Sequence, residues 1–418
     1  MSFGGSPPDV KLLVVSQYFW PETFRVNELV AELVMRGHEV TVLTGVPNYP
    51  EGEVYPAYLE HPERFTRYEG AEVVRVPMLA RGTSRRRLAL NYASFALAGS
   101  VVGAFRLRGR QFDAAFVFQT SPITAAIPAL LWRELRGTPV AMWVLDLWPE
   151  SVSAVGAVQN PVVLDALGRL VRFTYGRCDL ILAQSKAFFA GIERWAPDPS
   201  KIRYFPGWAE AVFDNAVPID IAPELAPYRS SFNVMFAGNI GEAQDFPAIL
   251  DAAAALRDRD DIRWLVVGDG RARPAVEADI ARRGLQDRVK LLGRFPMERM
   301  PSFFAAADAL LVSLRKDPIF ELTIPGKVQA YLAAGVPLLG MLDGEGARVI
   351  DEAGAGLTCP AGDGEALAER VRRLADSPAA ARKRMGEAGQ SYGAREFDRN
   401  ALIDRLVGWL HVLALQHP

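Results

Sequence analysis

A chain of 418 residues, half of them hydrophobic, is too long for one core of ordinary size, so two domains are expected. Acids and bases nearly cancel to a net charge of −2, which excludes the bulk positive field of a nucleic-acid binder. Cys178 and Cys359 lie far apart, and none of the four histidines stands near either, so buried reduced thiols of a cytosolic protein are expected rather than a zinc site.

The first ten residues, MSFGGSPPDV, are polar and turn-rich without an apolar signal segment, and read as a disordered lead-in to a protein that is not secreted. Residues 11–16, KLLVVS, form a continuous apolar run of the kind buried on both faces of a parallel sheet. Val26, Leu29, Val30, Leu33 and Val34 repeat at helical spacing, Gly37 closes the helix, and residues 40–44 make the next strand. The intervening loop QYFWPETF therefore lines the ligand crevice of a Rossmann-like unit. It holds no GxGxxG, so no dinucleotide redox cofactor is expected. The next loop, GVPNYPEGEVYPAY, has the length and turn chemistry of a functional loop.

Residues 84–110 are unusual. Arg85, Arg86 and Arg87 precede eighteen uncharged residues, LALNYASFALAGSVVGAF, and Arg106, Arg108 and Arg110 close the segment. The length approaches that of a membrane span, but Asn91, Ser94, Ser100 and two glycines make it a poor one, and a core helix is a second reading. The flanking arginines favour a third reading, a helix near 88–105 that dips partly into an anionic bilayer surface.

Further strands are predicted at 114–118, 139–144 and 180–183, with helices near 124–135 and 161–175. DLWPES (146–151) follows one of these strands. Asp146 and Glu150, with Trp148 between them, suit the orientation of a polar substrate; capping of a helix start is the plainer alternative. PGWAE (206–210) is a second site of that sort. Residues 214–231 are Pro-rich and aperiodic, which predicts a first domain over 1–213, a linker over 214–231, a second domain over 232–395, and a helix within 396–418 that packs back on the first.

In the second domain strands at 234–237, 264–267 and 289–292 alternate with helices at 245–257, 274–283 and 297–306. LLVSLRKDPIFELTIPGKVQAYLAAGVPLLGM (310–341) follows as a βαβ unit whose helix opens with Pro325, Gly326 and Lys327. Two doubly wound α/β domains result. The strand ends carry Gly238 and Asn239, Gly268, Arg294, the Pro325–Gly326–Lys327 turn with Arg315 before it, and Glu345, Gly346 and Ala347. Glycine loops before helix starts, with added positive charge, point to a nucleotide diphosphate. No Walker motif is present, which disfavours ATP hydrolysis.

QYFWPETFRVNELVAELVMRGHEVTVLTGVPNYPEG, DLWPES, GNIGEAQD, IPGKVQAYLAAG and GEGARVI resemble segments of the retaining family 4 glycosyltransferases. More narrowly, they are similar to the bacterial O-antigen and exopolysaccharide branch that includes fucosaminyltransferase-like proteins. The resemblance runs from about residue 11 to 397. It implies a GT-B fold, two Rossmann-like domains facing across a cleft, with the donor held mainly by the second and the acceptor by the first. It also implies transfer from a nucleotide-sugar, with UDP the favoured nucleotide, retention of anomeric configuration, and no metal or other cofactor.

On that footing Lys327, with the N–H groups of Gly326, Gly238 and Asn239, would stabilise the departing diphosphate. Glu345 would hold sugar or ribose hydroxyls, and Asp146 and Glu150 the sugar or acceptor. Arg85, Arg86, Arg87 and Arg106 would meet anionic head groups, and the acceptor would be a saccharide on a polyprenyl diphosphate at the cytosolic face of the membrane. The chain departs from the wider family in several places. Thr23, Phe24 and Arg25 stand where a glycine pair is usual, and Leu145 precedes Asp146 where a histidine is usual. Ala330 replaces the second glutamate of a spaced pair, Glu321 is one residue out of step with the first, and Gln244 replaces a lysine. Two rivals share the fold: a sugar-nucleotide epimerase or hydrolase, and an inactive nucleotide-sugar-binding scaffold.

Overall fold

The computed structural model describes residues 10–154, 158–213 and 220–416, so the expected lead-in at 1–9 and part of the expected linker, 214–219, lie outside the described residues. The first sheet is built from β1 (Lys11–Val15), β2 (Glu39–Gly45), β3 (Arg67–Tyr68), β4 (Ala71–Val76), β5 (Ala114–Gln119), β6 (Val140–Val144), β7 (Leu180–Ala183) and β8 (Ile202–Tyr204). Its order is β3-β4-β2-β1-β5-β6-β7-β8, and every pairing is parallel except β3 with β4. The second sheet comprises β9 (Phe232–Ala237), β10 (Ile262–Val267), β11 (Val289–Gly293), β12 (Ala309–Ser313), β13 (Leu338–Met341) and β14 (Gly356–Cys359). It runs β11-β10-β9-β12-β13-β14, parallel throughout.

The apolar runs dictate this arrangement. β5, β6, β9 and β12 are buried at every position, which only a strand covered on both faces requires. In the second unit the alternating side chains of β9 feed two separate apolar clusters: Val234 and Phe236 join one, and Met235 and Ala237 the other. Helices cover both clusters.

The strand orders also locate the crevices. Chain direction across the first sheet reverses between β1 and β5, and across the second between β9 and β12. Loops leaving the carboxyl ends of two such strands part to opposite faces of the sheet and leave a gap, the usual ligand position in an open α/β fold. The loops concerned are QYFWPETF and the Thr120–Ser121 turn in the first unit, and GNIG and the stretch ending in Pro325–Gly326–Lys327 in the second.

The predicted domain boundary needs correction. One compact unit takes 1–205 together with 400–418, and the other takes 206–399. Ala222 and Leu225, expected in a linker, are buried in the second unit's core, with Ala222 N–H donating to Ser302 O at 3.0 Å. Phe213 stacks on Phe304 at 5.5 Å, so residues just before 214 also belong to the second unit. The final helix, Arg399–Gln416, lies with the first: Arg36 donates to Asn400 and Asp404, and Trp409 meets Phe205 at 6.1 Å. The aperiodic Pro-rich composition read as a linker describes backbone shape, not burial.

Residues 85–106 form one helix, long and apolar enough by composition to cross a membrane, with a π-helical segment at Gly99–Gly103. Only one face is covered. Asn91, Phe95, Ala96, Gly99 and Gly103 are buried, whereas Leu90, Leu97, Val101 and Phe105 are 53%, 68%, 62% and 62% exposed. Those four share one stripe of about 80° on a helix advancing about 100° per residue. One face therefore packs as a core helix does, and the other is exposed.

Candidate functional site

In the second unit the site grows from two glycines that no other residue could replace. Gly238 ends β9 at φ +138° and Gly268 ends β10 at φ +141°, a region closed to side chains. A Cβ on Gly268 would lie 1.9 Å from the Gly238 carbonyl oxygen. A Cβ on Gly238 would lie 2.7 Å from Lys327 Cε and 3.0 Å from its Nζ. Gly238 therefore makes room for the lysine. Gly238→Ala is expected to cost about 1–3 kcal/mol through backbone conformation alone and to displace Lys327; thermal melts and nucleotide titration of the variant check both effects.

Pro325 caps the helix Gly326–Ala334, with its own backbone extended and Gly326 exposed at the first turn. The Gln329 amide, turned so that its NH₂ faces back, reaches the carbonyls of Pro325 and Gly326 at 2.9 and 3.1 Å. Lys327 folds beneath Gly238, its ammonium 3.5 Å from the centre of the Phe236 ring. Its stem is partly exposed, but Nζ is enclosed and has no hydrogen-bond partner. Burial alone lowers its pKa to about 7. The pocket of about 170 Å³ that it lines is walled by Phe213, Met300, Phe304 and Tyr331, with Ala330 where the wider family carries a glutamate and Glu210 of PGWAE on its edge. The Tyr331 hydroxyl ties down both the N–H and the carbonyl of Ala237.

A second helix start adjoins the first. The helix Glu345–Ala353 begins with Gly346 so near Pro325 that a Cβ there would lie 3.1 Å from the ring. Ala347 packs against the core behind it. Two helix N-termini thus converge, and their unpaired N–H groups favour an anion. Asn239 is exposed in the same loop as Gly238, and Arg294 is exposed at the end of β11. Other expected residues are engaged. Glu345 is nearly buried and both its oxygens accept from Arg348 at 2.9 Å, so the carboxylate expected to hold sugar hydroxyls is occupied by an ion pair. Arg315 is paired with Asp317 at 3.5 Å, and Gln244 accepts from Gly241 N–H within its own turn.

In the first unit the loops meet around Asn91. Its side chain accepts from Gln17 Nε2 at 2.7 Å and from the Tyr18 hydroxyl at 2.9 Å, and donates to Leu79 O at 2.6 Å. The partly exposed helix therefore also forms a wall of the crevice, and Tyr92, one residue on, is held near Ser121 and Asp146. Asp146 is half-buried, and that burial raises its carboxyl above the ordinary range, opposed by hydrogen bonds with Ser151, Ser121 and Trp148. Glu150 does not join it. One oxygen accepts from Trp195 Nε1 at 3.2 Å and lies 3.8 Å from Arg194, tying Glu150 to a neighbouring helix, while its other oxygen is enclosed with no hydrogen-bond partner among the described residues. Arg106 likewise donates to Arg75 O at 2.7 Å.

Sequence reasoning missed Glu22. Its carboxylate accepts from Asn48 N–H and Tyr49 N–H at 2.7 Å each and from Phe19 N–H at 3.0 Å, joining the loops after β1 and β2. Arg75 reinforces the joint by donating to the carbonyls of Gly45, Phe65 and Trp20. A glutamate following Pro in a turn of aromatic residues was the available signal. Burial outweighs those donors and raises the Glu22 pKa to about 7 from 4.5. Folded protein then holds this proton more tightly than unfolded chain, so the contribution to stability is complete below pH 4.5 and lost as pH rises through 7. Glu22→Gln should remove that slope and leave one buried N–H facing an NH₂, at a cost of about 1–3 kcal/mol; denaturant midpoints from pH 4.5 to 7.5 measure both.

Two parallel-sheet α/β units with ligand crevices at their strand-order reversals, one furnished for an anion, define a protein of the GT-B fold. The structure of HepE from Anabaena in complex with UDP and glucose superposes with a TM-score of 0.66 at 15% identity, over 96% of this chain and 99% of that one. The "Glycosyl transferase 4-like domain" family matches residues 23–208, and the "Glycosyl transferases group 1" family matches residues 231–377. The chain belongs to the group 1 glycosyltransferases. It is 27% identical over 267 residues to the probable glycosyltransferase WbjE of Pseudomonas aeruginosa, a match covering 62% of this chain and 65% of that one. A glycosyl transferase assigned to colanic acid biosynthesis in Escherichia coli K12, WcaI, is 25% identical over 347 residues, 78% of this chain and 82% of its own.

Proposed function

We propose that this protein moves a sugar from a nucleotide diphosphate donor, UDP being the favoured nucleotide, to a saccharide on a polyprenyl diphosphate at the cytosolic surface of the membrane, in the synthesis of a cell-surface polysaccharide. The observation that carries the reading is Lys327, a buried amine with no hydrogen-bond or ion-pair partner among the described residues, at the start of a helix in the second crevice. A departing diphosphate supplies the missing charge. Its bond to the anomeric carbon breaks while the acceptor oxygen bonds to that carbon, and Lys327 and the helix N–H groups stabilise the negative charge that grows. Retention follows if the acceptor attacks from the face the diphosphate leaves, its hydroxyl proton passing to a phosphate oxygen; the scheme needs neither a protein nucleophile nor a metal. HepE's complex with UDP and glucose supports the donor, and WcaI supports the polymer class.

Asp146 accepts hydrogen bonds from the acceptor sugar in this reading, and the exposed stripe of the helix 85–106, which begins beside the acceptor loops, rests on the bilayer that carries the lipid. Mass spectrometry of a polyprenyl-diphosphate-linked saccharide after incubation with UDP- and GDP-sugars tests the reading. One added hexose or aminohexose, with UDP released only when acceptor is present, is expected. UDP release without acceptor would indicate a hydrolase, and donor binding without product would indicate a scaffold.

A further inference from the structure

The arginines of the first unit are mostly spent on partners. Arg75 serves three carbonyls, Arg36 bonds Glu32, Asn400 and Asp404, Arg110 grips Glu72 with two bonds, and Arg133 grips Asp179 with two. Arg81 differs. It is partly exposed at the crevice rim, and no carboxylate pairs with it among the described residues. Its backbone N–H is fixed by Asn48 Oδ1 at 2.9 Å, and its guanidinium lies 5.2 Å over the Tyr49 ring. Tyr49 belongs to a cluster with Phe24 at 5.1 Å and the buried Tyr18 at 5.4 Å, and the partly exposed rings of Phe24 and Tyr49 form an aromatic shelf. Arg81 hydrogen-bonds the Tyr18 hydroxyl and lies near that of Tyr92, and Asp146 also lies near Tyr92.

Stacking on an aromatic ring occupies the flat face of a guanidinium and leaves its N–H edge for other partners; in Arg81 the Tyr18 hydroxyl takes one donor and the remaining donors are left for a ligand. A planar fork held in place, without a carboxylate, suits two oxygens of a phosphate or a carboxylate. The shelf beside it suits the apolar face of a pyranose ring, and Asp146 its hydroxyls. We propose that Phe24, Tyr49 and Arg81 form an acceptor subsite that reads a negative charge next to the acceptor sugar, with Arg81 pairing to it. This rests on the transferase reading, and it distinguishes Arg81 from Arg85, Arg86 and Arg87, which are exposed at the start of the adjoining helix. The charge has two chemical sources, the diphosphate of the carrier lipid or the carboxylate of a uronic acid.

The test is calorimetric titration of the full-length protein, saturated with UDP, with geranyl diphosphate, octyl glucuronide and octyl glucoside. Wild-type protein is expected to bind one of the two anions at least tenfold more tightly than the neutral glucoside. Arg81→Ala should weaken that anion by about 10- to 100-fold while changing octyl glucoside by less than threefold, and Arg81→Lys should recover part of the loss. Preference for geranyl diphosphate identifies the carrier, and preference for the glucuronide a uronic acid. Equal binding of all three by the wild type, or equal loss for charged and neutral probes in Arg81→Ala, would overturn the proposal. Unchanged UDP affinity in Arg81→Ala shows that the protein is folded. Because binding is measured, failure of sugar transfer counts against the transferase reading and leaves this result standing.

Discussion

Replacing Lys327 by alanine is expected to lower sugar transfer by about 100-fold or more, the effect of removing one preorganised charge from a developing anion. The structure explains why the loss should fall on the chemical step and on donor binding together. Free enzyme keeps the amine under Gly238 and against Phe236, where burial holds its pKa near 7, so at neutral pH it is about half protonated. A diphosphate reverses the preference, because an adjacent anion favours the ammonium. Binding of UDP above pH 7 should therefore take up a proton. Calorimetry at pH 8 in two buffers of different ionisation enthalpy should show that uptake in the wild type and not in Lys327→Met, and UDP affinity should fall as pH rises from 7 to 9. Stability has the opposite sign of pH dependence. The unfolded lysine holds its proton up to its ordinary value of 10.5, so this residue's penalty is greatest below pH 7 and is relieved as pH rises towards 10.5.

Changing Arg85, Arg86 and Arg87 together to glutamate is expected to abolish sedimentation with anionic vesicles. Each basic residue near such a surface contributes about 1 kcal/mol, so removing three and reversing them should lower partitioning by more than 100-fold. The arginines are also badly placed for the helix they open. They occupy the first turn, where the macrodipole is already positive, and that turn holds no acidic residue of its own. Intramolecular electrostatics therefore argues against three cations there, whereas a lipid phosphate would satisfy both the charges and the helix end. Glutamate suits the isolated helix better, so the variant should fold, and its UDP affinity should match wild type. The exposed Leu97, Val101 and Phe105 would supply the apolar half of such a contact, so part of the binding should survive high salt.

Much of this arrangement could be read from the residues. The strands at the centre of each sheet were plain because runs such as LLVV and NVMF have no polar alternation, and parallel strands buried on both faces need none. Short edge strands such as β3, with two residues, carry no period and were invisible. The turn at Pro325–Gly326–Lys327 was recognisable from composition, and so was the presence of Gly238 in an opposing loop. Their meeting was expected only through the family resemblance and not from spacing, because it depends on the strand order that places β12 beside β9. The same limit applies to the acidic residues. Glu150 and Glu345 stand at helix starts after strands, as site carboxylates do, yet Trp195 and Arg348 take them up, and spacing along the chain contains nothing of those partners. Glu22 erred in the other direction: a glutamate after Pro among aromatic residues marks a turn, but nothing in that pattern says that it ties two loops together.

The most direct measurement is the structure of the protein with UDP bound. The account predicts the two phosphates within about 4 Å of the Lys327 ammonium, against the first turn of the helix Gly326–Ala334 and beside Gly238. Phosphates bound elsewhere in the chain, with Lys327 still enclosed over Phe236, would contradict it.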